Sequence, residues 1–224
     1  MSSGGNRSDR SDGSDRLAGS PALYAAAAIP YVAVLVGLYA LHSAWAAVLL
    51  YLAGIAAVWL AAGRRPGLRS LFAGLRATLA VPLVLGALAV GPLVFFAWPH
   101  AALEPEMRAL LARFGLSGGS LAAFAVYSAL ANPALEELFW RGALLDGARR
   151  PAPGDALFAG YHALVLALVV EWPFALAAVV ALAAAAWLWR LAAIRCGGLA
   201  VPCLSHLSAD LAVIGAAWAL ILVQ

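Results

Sequence analysis

The sequence contains no lysine, only 2 cysteines and few charged residues of either sign. Charged residues make up 11% of the 224 positions, whereas hydrophobic residues make up 65%. Soluble globular domains carry about 25% charged residues, so this composition excludes that class and predicts a membrane protein. The mean hydropathy of +0.92 supports the same conclusion. All 14 cationic residues are arginine and alanine is abundant, which is typical of a GC-rich bacterial coding sequence.

The cysteines and the arginines argue against a disulfide-bonded protein and against a nucleic-acid-binding protein. Cys196 and Cys203 are seven residues apart without C-x-x-C spacing, so we predict buried thiols rather than a disulfide. The net charge is +3, but the arginines fall between apolar segments, where membrane topology accounts for them. We therefore expect no nucleic-acid partner.

Long apolar runs follow a polar leader. Residues 1–20 consist mainly of Ser, Gly, Asp and Arg and have almost nothing to bury, so they predict a disordered tail. From residue 21 onward, uncharged runs approach or exceed the roughly 20 residues that cross a bilayer. They predict an all-α domain over 21–224, a polytopic transmembrane helix bundle of about seven spans. The predicted spans are 21–41, 44–63, 78–98, 119–140, 156–170, 172–189 and 199–223.

The arginines between the spans predict the orientation of the bundle. With the tail inside, the positive-inside rule is satisfied, because only Arg108 and Arg113 fall outside. The inner set is Arg64, Arg65, Arg69, Arg76, Arg149, Arg150, Arg190 and Arg195. We expect a multi-pass protein of the bacterial inner membrane, with a cytoplasmic amino terminus and an external carboxyl terminus. The tryptophans expected at the interfaces or in packing are Trp45, Trp98, Trp172 and Trp189.

Ionisable residues interrupt the later apolar segments in three short motifs. The motifs are Glu136-Glu137-x-x-x-Arg141, Phe158-x-x-x-His162 and His206-x-x-x-Asp210. A charged side chain at the bilayer centre costs about 2.5 to 3.5 kcal/mol on insertion scales, so groups kept there are expected to serve a function. In the predicted topology all three motifs lie about 10 Å or less from the cytoplasmic face, at a rise of 1.5 Å per residue. Motifs at one depth can form one site.

Helical spacing predicts which of these side chains meet. Glu137 and Arg141 are four residues apart, so they share a helix face and can pair. Glu136 is turned about 100° from Glu137, so it is free to face a cavity, where desolvation would make it a stronger base. His206 and Asp210 are also four apart, so the aspartate can hold one ring nitrogen and leave the other aimed at a ligand.

These motifs, in this order on separate apolar helices, resemble the CPBP family, the bacterial relatives of the eukaryotic CAAX prenyl endopeptidase. The resemblance covers residues 132–210, and its most specific part is the stretch Glu-Glu-Leu-Phe-Trp-Arg-Gly at 136–142. It implies a CAAX-protease-like core formed by the last four helices, with a catalytic core over 119–224. It also implies a glutamic-type intramembrane endopeptidase that hydrolyses a peptide bond with an activated water.

The resemblance further implies a role for each motif residue. Glu136 would take the proton of the water, and His162 would orient that water. His206 and Asp210 would stabilise the oxyanion of the tetrahedral intermediate. The family more often has asparagine at the last position, and an ionised Asp210 would repel an oxyanion. Asp210 therefore either orients His206 or is protonated in its apolar setting. The supporting residues would be Glu137, Arg141 and Phe158.

Cofactor, partners and alternative functions complete the expectations. We expect no cofactor. The alternative is a zinc ion bound by Glu136, His162 and His206, with Asp210 as a further candidate ligand. The sequence has no H-E-x-x-H pair, which counts against zinc. The expected partners are the lipid bilayer and a membrane-anchored peptide or protein substrate, and the oligomeric state stays open. Two other functions remain open: a non-catalytic peptide-binding or immunity protein of the same fold, and a proton-linked transporter. The lack of a visible internal repeat counts against the transporter.

Overall fold

The described residues of the chain are predominantly helical. The computed structural model describes residues 25–61, 67–144 and 147–224. The helices are α1 (Ala25–Ala40), α2 (Ala44–Ala61), α3 (Ala77–Leu88), α4 (Val90–Ala101), α5 (Met107–Arg113), α6 (Gly118–Leu130), α7 (Asn132–Glu136), α8 (Pro153–Leu166), α9 (Trp172–Cys196) and α10 (Ala200–Val223). The predicted all-α bundle is confirmed, since strand pairing in these ranges is limited to one bridge between Ala102 and Val170. The tail predicted for 1–20 lies outside the described residues, as do Arg64 and Arg65.

Fewer helices of the described residues are long enough to cross a membrane than the seven predicted spans. Among the described residues, four stretches are long and apolar enough: Ala44–Ala61, Ala77–Ala101, Trp172–Cys196 and Ala200–Val223. A fifth is present if Met107–Arg113 and Gly118–Leu130, which are bent by 87°, count as one span. The difference arises because α1, α6 and α8 are each shorter than 18 residues.

The predicted fourth span is interrupted just before the first motif. Helix α6 is followed by a turn at Ala131, and α7 then begins with Pro133 in its first turn. Proline has no N–H and a fixed φ, so it suits a helix start and not a helix interior. Helix α7 continues as a π-helical segment, Glu137–Ala143. Such segments are rare and often occur at functional sites, and this one begins between Glu136 and Glu137.

Helix α10 lies at the centre of the described bundle. It packs against α3, α4, α6, α7 and α9, while α8 packs against α9 and α1. Helix α10 carries the third motif, and His206 lies about 9 Å from the helix start at Ala200, at 1.5 Å per residue. The helices of the first and third motifs are therefore in contact, and the helix of the second motif packs against α9, which in turn packs against α10.

A tight turn fixes the start of α10. Gly197 ends α9 with a φ of 66°, a left-handed conformation that residues with a Cβ rarely adopt. The N–H of Leu199 then donates to the carbonyl of Ser70 at 2.8 Å, and the N–H of Ala200 donates to that of Ala73 at 3.1 Å. The segment before α3 thus holds the end of α10 that leads to His206.

Arg190 and Arg195 both lie in α9 and not in an inner loop, so the loop predicted for them was wrong. Arg190 is the buried one of the two. It is 4% exposed and pairs with Asp155 near the start of α8, with Nε 3.0 Å from Oδ1 and Nη2 2.7 Å from Oδ2. The guanidinium also donates to the carbonyls of Ala148 and Arg150, the second at 2.8 Å. The positive-inside count treated Arg190 as a solvated loop charge, whereas its charge is satisfied by a buried carboxylate. This bidentate pair fixes the start of the helix that carries the second motif.

Candidate active site

Glu137 joins two of the three motifs through one carboxylate oxygen. Its Oε1 lies 3.0 Å from Nη1 of Arg141 and 2.9 Å from Nδ1 of His206. All three side chains are buried, and that of Glu137 is 0% exposed. The contact with Arg141 is the one that the four-residue spacing predicts. This oxygen therefore compensates a guanidinium and an imidazole at the same time.

Both nitrogens of the His206 ring face carboxylates. Nδ1 faces Glu137, whereas Nε2 lies 3.6 Å from Oε2 of Glu136 and 3.8 Å from Oδ1 of Asp210. The four-residue spacing of the third motif predicted that Asp210 would meet a ring nitrogen, and the two groups lie within ion-pair distance. A separation of 3.8 Å is too long for a hydrogen bond, and Glu137, from a different helix, makes the close contact. Helical spacing reports only neighbours on the same helix, so it could not find that partner.

The indole of Trp189 fixes the His206 ring from one side. The two rings are stacked, with centroids 4.6 Å apart and planes inclined by 17°. Trp189 is 4% exposed, and its Nε1 donates to Oγ of Ser205 at 2.9 Å. Ser205 in turn donates to the carbonyl of Leu83 in α3 at 3.1 Å. Trp189 therefore serves packing, the second of the two expectations stated for it, and orients the histidine.

Glu136 is buried with one oxygen bonded and the other without a partner. Its side chain is 3% exposed, and Oε1 accepts a hydrogen bond from the hydroxyl of Tyr161. Oε2 has no hydrogen-bond partner in the described part of the chain, and the same holds for Oε2 of Glu137 and the hydroxyl of Tyr127. Buried polar atoms are nearly always bonded, so an oxygen held in this state is available to a ligand.

The His162 ring is oriented by its own helix. Nδ1 lies 2.8 Å from the carbonyl oxygen of Phe158. A carbonyl only accepts, so Nδ1 is the donor and Nε2 keeps its lone pair in the neutral ring. The ring also lies against Phe158 and Tyr161, with centroids 4.7 and 4.0 Å away. Phe158 is at the same time 6.1 Å from the His206 ring, so one aromatic side chain contacts both histidines.

Arg141 connects the first motif to the second. Its guanidinium carbon lies 4.4 Å from the ring centroid of Phe158 and 5.2 Å from that of Trp189. A cation over aromatic faces is attracted by the negative face of each ring, and the attraction is stronger where water is excluded. The charge of Arg141 is therefore compensated by Glu137 and by the rings of Phe158 and Trp189.

Asp210 lies at the more open side of the group. Its side chain is 25% exposed, against 5% for His206. The side chain of Asn132, at the start of α7, interacts with it. Asp210 thus borders the site between α7 and α10 without a close contact to the histidine.

Two tyrosines belong to the group although the sequence did not indicate them. Tyr161 directly precedes the motif residue His162, and this adjacency could have identified it from the sequence. Tyr51, in α2, accepts a hydrogen bond from Nε1 of Trp140 at 2.9 Å and faces Glu136. Tyr51 belongs to a segment without any motif, and only the three-dimensional packing reveals it.

The residues named as alternative zinc ligands make other contacts in the structure. In the described ranges, no three His, Cys, Asp or Glu side chains are arranged to hold a metal ion. Glu136 bonds to Tyr161 through Oε1, and His162 bonds to a backbone carbonyl through Nδ1. Both cysteines are free thiols, as their spacing predicted; Cys196 is buried as expected, whereas Cys203 is only partly buried.

Residues 118–212 match the sequence family described as Type II CAAX prenyl endopeptidase Rce1-like. The matched region contains every residue of the three motifs. No curated protein and no solved structure matches the chain significantly.

Proposed function

We propose that the chain is a glutamic-type endopeptidase of the membrane, since residues 118–212 match the Type II CAAX prenyl endopeptidase Rce1-like family. Glu136 is the proposed base, and the residues proposed to act with it are His162, His206 and Asp210. The supporting residues are Glu137, Arg141 and Phe158.

The two unequal oxygens of Glu136 are the observation that carries this proposal. Oε1 is occupied by the hydroxyl of Tyr161, while Oε2 is buried, unpartnered and 3.6 Å from Nε2 of His206. A carboxylate oxygen of this kind, beside an imidazole and away from bulk water, is suited to take a proton from a bound water. Glu137 is less suited, because its Oε1 is shared by Arg141 and His206.

In the proposed reaction, Oε2 of Glu136 removes one proton from water while the water oxygen attacks the carbonyl carbon of the peptide bond. The lone pair on Nε2 of His162 accepts the second hydrogen of the water and so orients it. The oxyanion that forms is stabilised by the N–H on Nε2 of a protonated His206, and by Asp210 in its protonated form. The C–N bond then breaks, and Glu136 returns its proton to the departing amine.

The proposed substrate is a membrane-anchored peptide or protein that enters from the lipid bilayer. The site lies among apolar helices, so a substrate that already resides in the bilayer reaches it without first leaving the membrane. We propose that the protein works without a cofactor or a nucleic-acid partner. The proposed location is a bacterial inner membrane, with the amino terminus in the cytoplasm.

The test is cleavage of lipid-anchored and transmembrane-tail reporter peptides by protein reconstituted in liposomes. Loss of general-base catalysis in Glu136→Gln should lower kcat by about 100- to 10,000-fold. Glu106→Gln is the matched control, because Glu106 is exposed and far from the motifs in sequence. Equal cleavage by wild type and Glu136→Gln would remove Glu136 from the mechanism. Tight binding of the peptides by wild type without any cleavage would instead favour the non-catalytic peptide-binding protein.

A further inference from the structure

We propose that Tyr161 is a positioning residue that selects which oxygen of Glu136 takes the proton. This inference rests on the proposed function, since it concerns the base of that reaction. By occupying Oε1, the phenol leaves Oε2 as the reacting atom, on the side of His206.

The direction of the hydrogen bond follows from the groups involved. An ionised carboxylate has no proton and only accepts, so the hydroxyl of Tyr161 is the donor to Oε1. Hydrogen bonds to a charged acceptor are about twice as strong as neutral ones, and both partners are buried here. The carboxylate therefore has one preferred orientation about its last torsion, a torsion that is otherwise broad and roughly two-fold.

The ring of Tyr161 is itself held on several sides. It stacks on Trp140 with centroids 6.2 Å apart and planes inclined by 9°. Phe158 and Tyr31 contact it in T-shaped geometry, with ring centroids 5.7 and 6.3 Å from that of Tyr161. A phenol confined in this way places its hydroxyl at a fixed point, which is the requirement for a group that orients another.

Tyr51 supports the same carboxylate from α2. Its phenol oxygen accepts the N–H of Trp140 at 2.9 Å, which leaves its own hydrogen free to point towards Glu136. Its ring lies 6.0 Å from that of Tyr161. Helix α2 lies outside the matched region 118–212, so the orientation of Glu136 depends on a part of the chain that carries no motif.

A conservative pair of variants separates the hydroxyl from the packing. Tyr161→Phe keeps the ring and its neighbours and removes only the donor to Glu136. Tyr31→Phe is the matched control, because the hydroxyl of Tyr31 donates to the backbone carbonyl of Leu157, also in α8, at 2.8 Å. We expect Tyr161→Phe to lower kcat about tenfold to a hundredfold at unchanged KM, the effect of losing one hydrogen bond to a charged group. Tyr31→Phe should leave both constants at the wild-type values.

A second measurement reads the contact without requiring catalysis. In protein with isotope-labelled glutamate, the infrared carboxylate band that disappears in Glu136→Gln should shift in Tyr161→Phe and stay in place in Tyr31→Phe. No cleavage by wild type together with a shifted band would reject the proposed function, and with it the positioning role. A wild-type kcat in Tyr161→Phe, an unshifted band, or a raised KM at constant kcat would overturn the positioning role while leaving the protease proposal intact.

Discussion

The carboxylate of Glu137 lies 2.9 Å from Nδ1 of His206, across 69 positions of the sequence. The same oxygen contacts Arg141 at 3.0 Å, so one acceptor connects the π-helical segment after α7 to the first third of α10. The contact makes Glu137 a support for the imidazole, and it makes the geometry of the third motif depend on the first.

Glu137→Ala should destabilise the fold as well as abolish cleavage. Removing the carboxylate leaves Arg141 buried without its charge partner, a change that costs about 3–5 kcal/mol. Denaturant unfolding in detergent micelles, followed by tryptophan fluorescence, measures the loss. The double variant Glu137→Ala/Arg141→Met should recover part of the stability, because the orphaned charge is gone. A single variant that unfolds at the wild-type midpoint would show that the pair contributes nothing to stability.

Arg190→Met should loosen the start of α8 by a similar mechanism. The substitution leaves Asp155 buried without its guanidinium partner, so we expect the free energy of unfolding to fall by about 3–5 kcal/mol. Arg195→Met is the matched control on the same helix; Arg195 is exposed, and its change should stay within about 0.5 kcal/mol. Equal effects of the two substitutions would contradict a specific role for the Asp155–Arg190 pair.

Much of this arrangement could be predicted from sequence because it depends on local spacing. The all-α bundle follows from the apolar runs, and the Glu137–Arg141 contact follows from residues that are four apart on one helix. The three motifs also identified the matched family correctly, because their order along the chain is itself informative.

The remainder depends on contacts between helices, which periodicity does not report. The hydrogen-bond partner of His206 is Glu137, whereas Asp210 lies farther away at 3.8 Å, and the partner of Arg190 is Asp155 in another helix. Each of these contacts pairs a buried ionisable side chain with a residue distant in sequence.

Chelation should leave the activity of the reconstituted protein unchanged. The described residues bring no three potential ligands together, and a buried cation, Arg141, already occupies the neighbourhood of the glutamates. Cleavage rates measured before and after dialysis against EDTA and phenanthroline check this expectation, with a zinc protease in the same liposomes as the positive control. Loss of activity that zinc alone restores would revive the metal alternative with Glu136, His162 and His206 as ligands.

Asp210→Asn should retain at least the wild-type kcat, whereas Asp210→Ala should lose about tenfold, the effect of one missing hydrogen bond near a developing charge. Asp210 lies 3.8 Å from Nε2 of His206, too far to orient the ring, which Glu137 already holds at Nδ1. Its proposed contribution is a hydrogen-bond donor for the oxyanion, and an amide supplies that donor without the negative charge that would repel the intermediate. Steady-state cleavage of one reporter peptide by the three proteins measures the effect. If Asp210→Asn fell as far as Asp210→Ala, the site would require the carboxylate itself, and the residue would act on His206 through its charge.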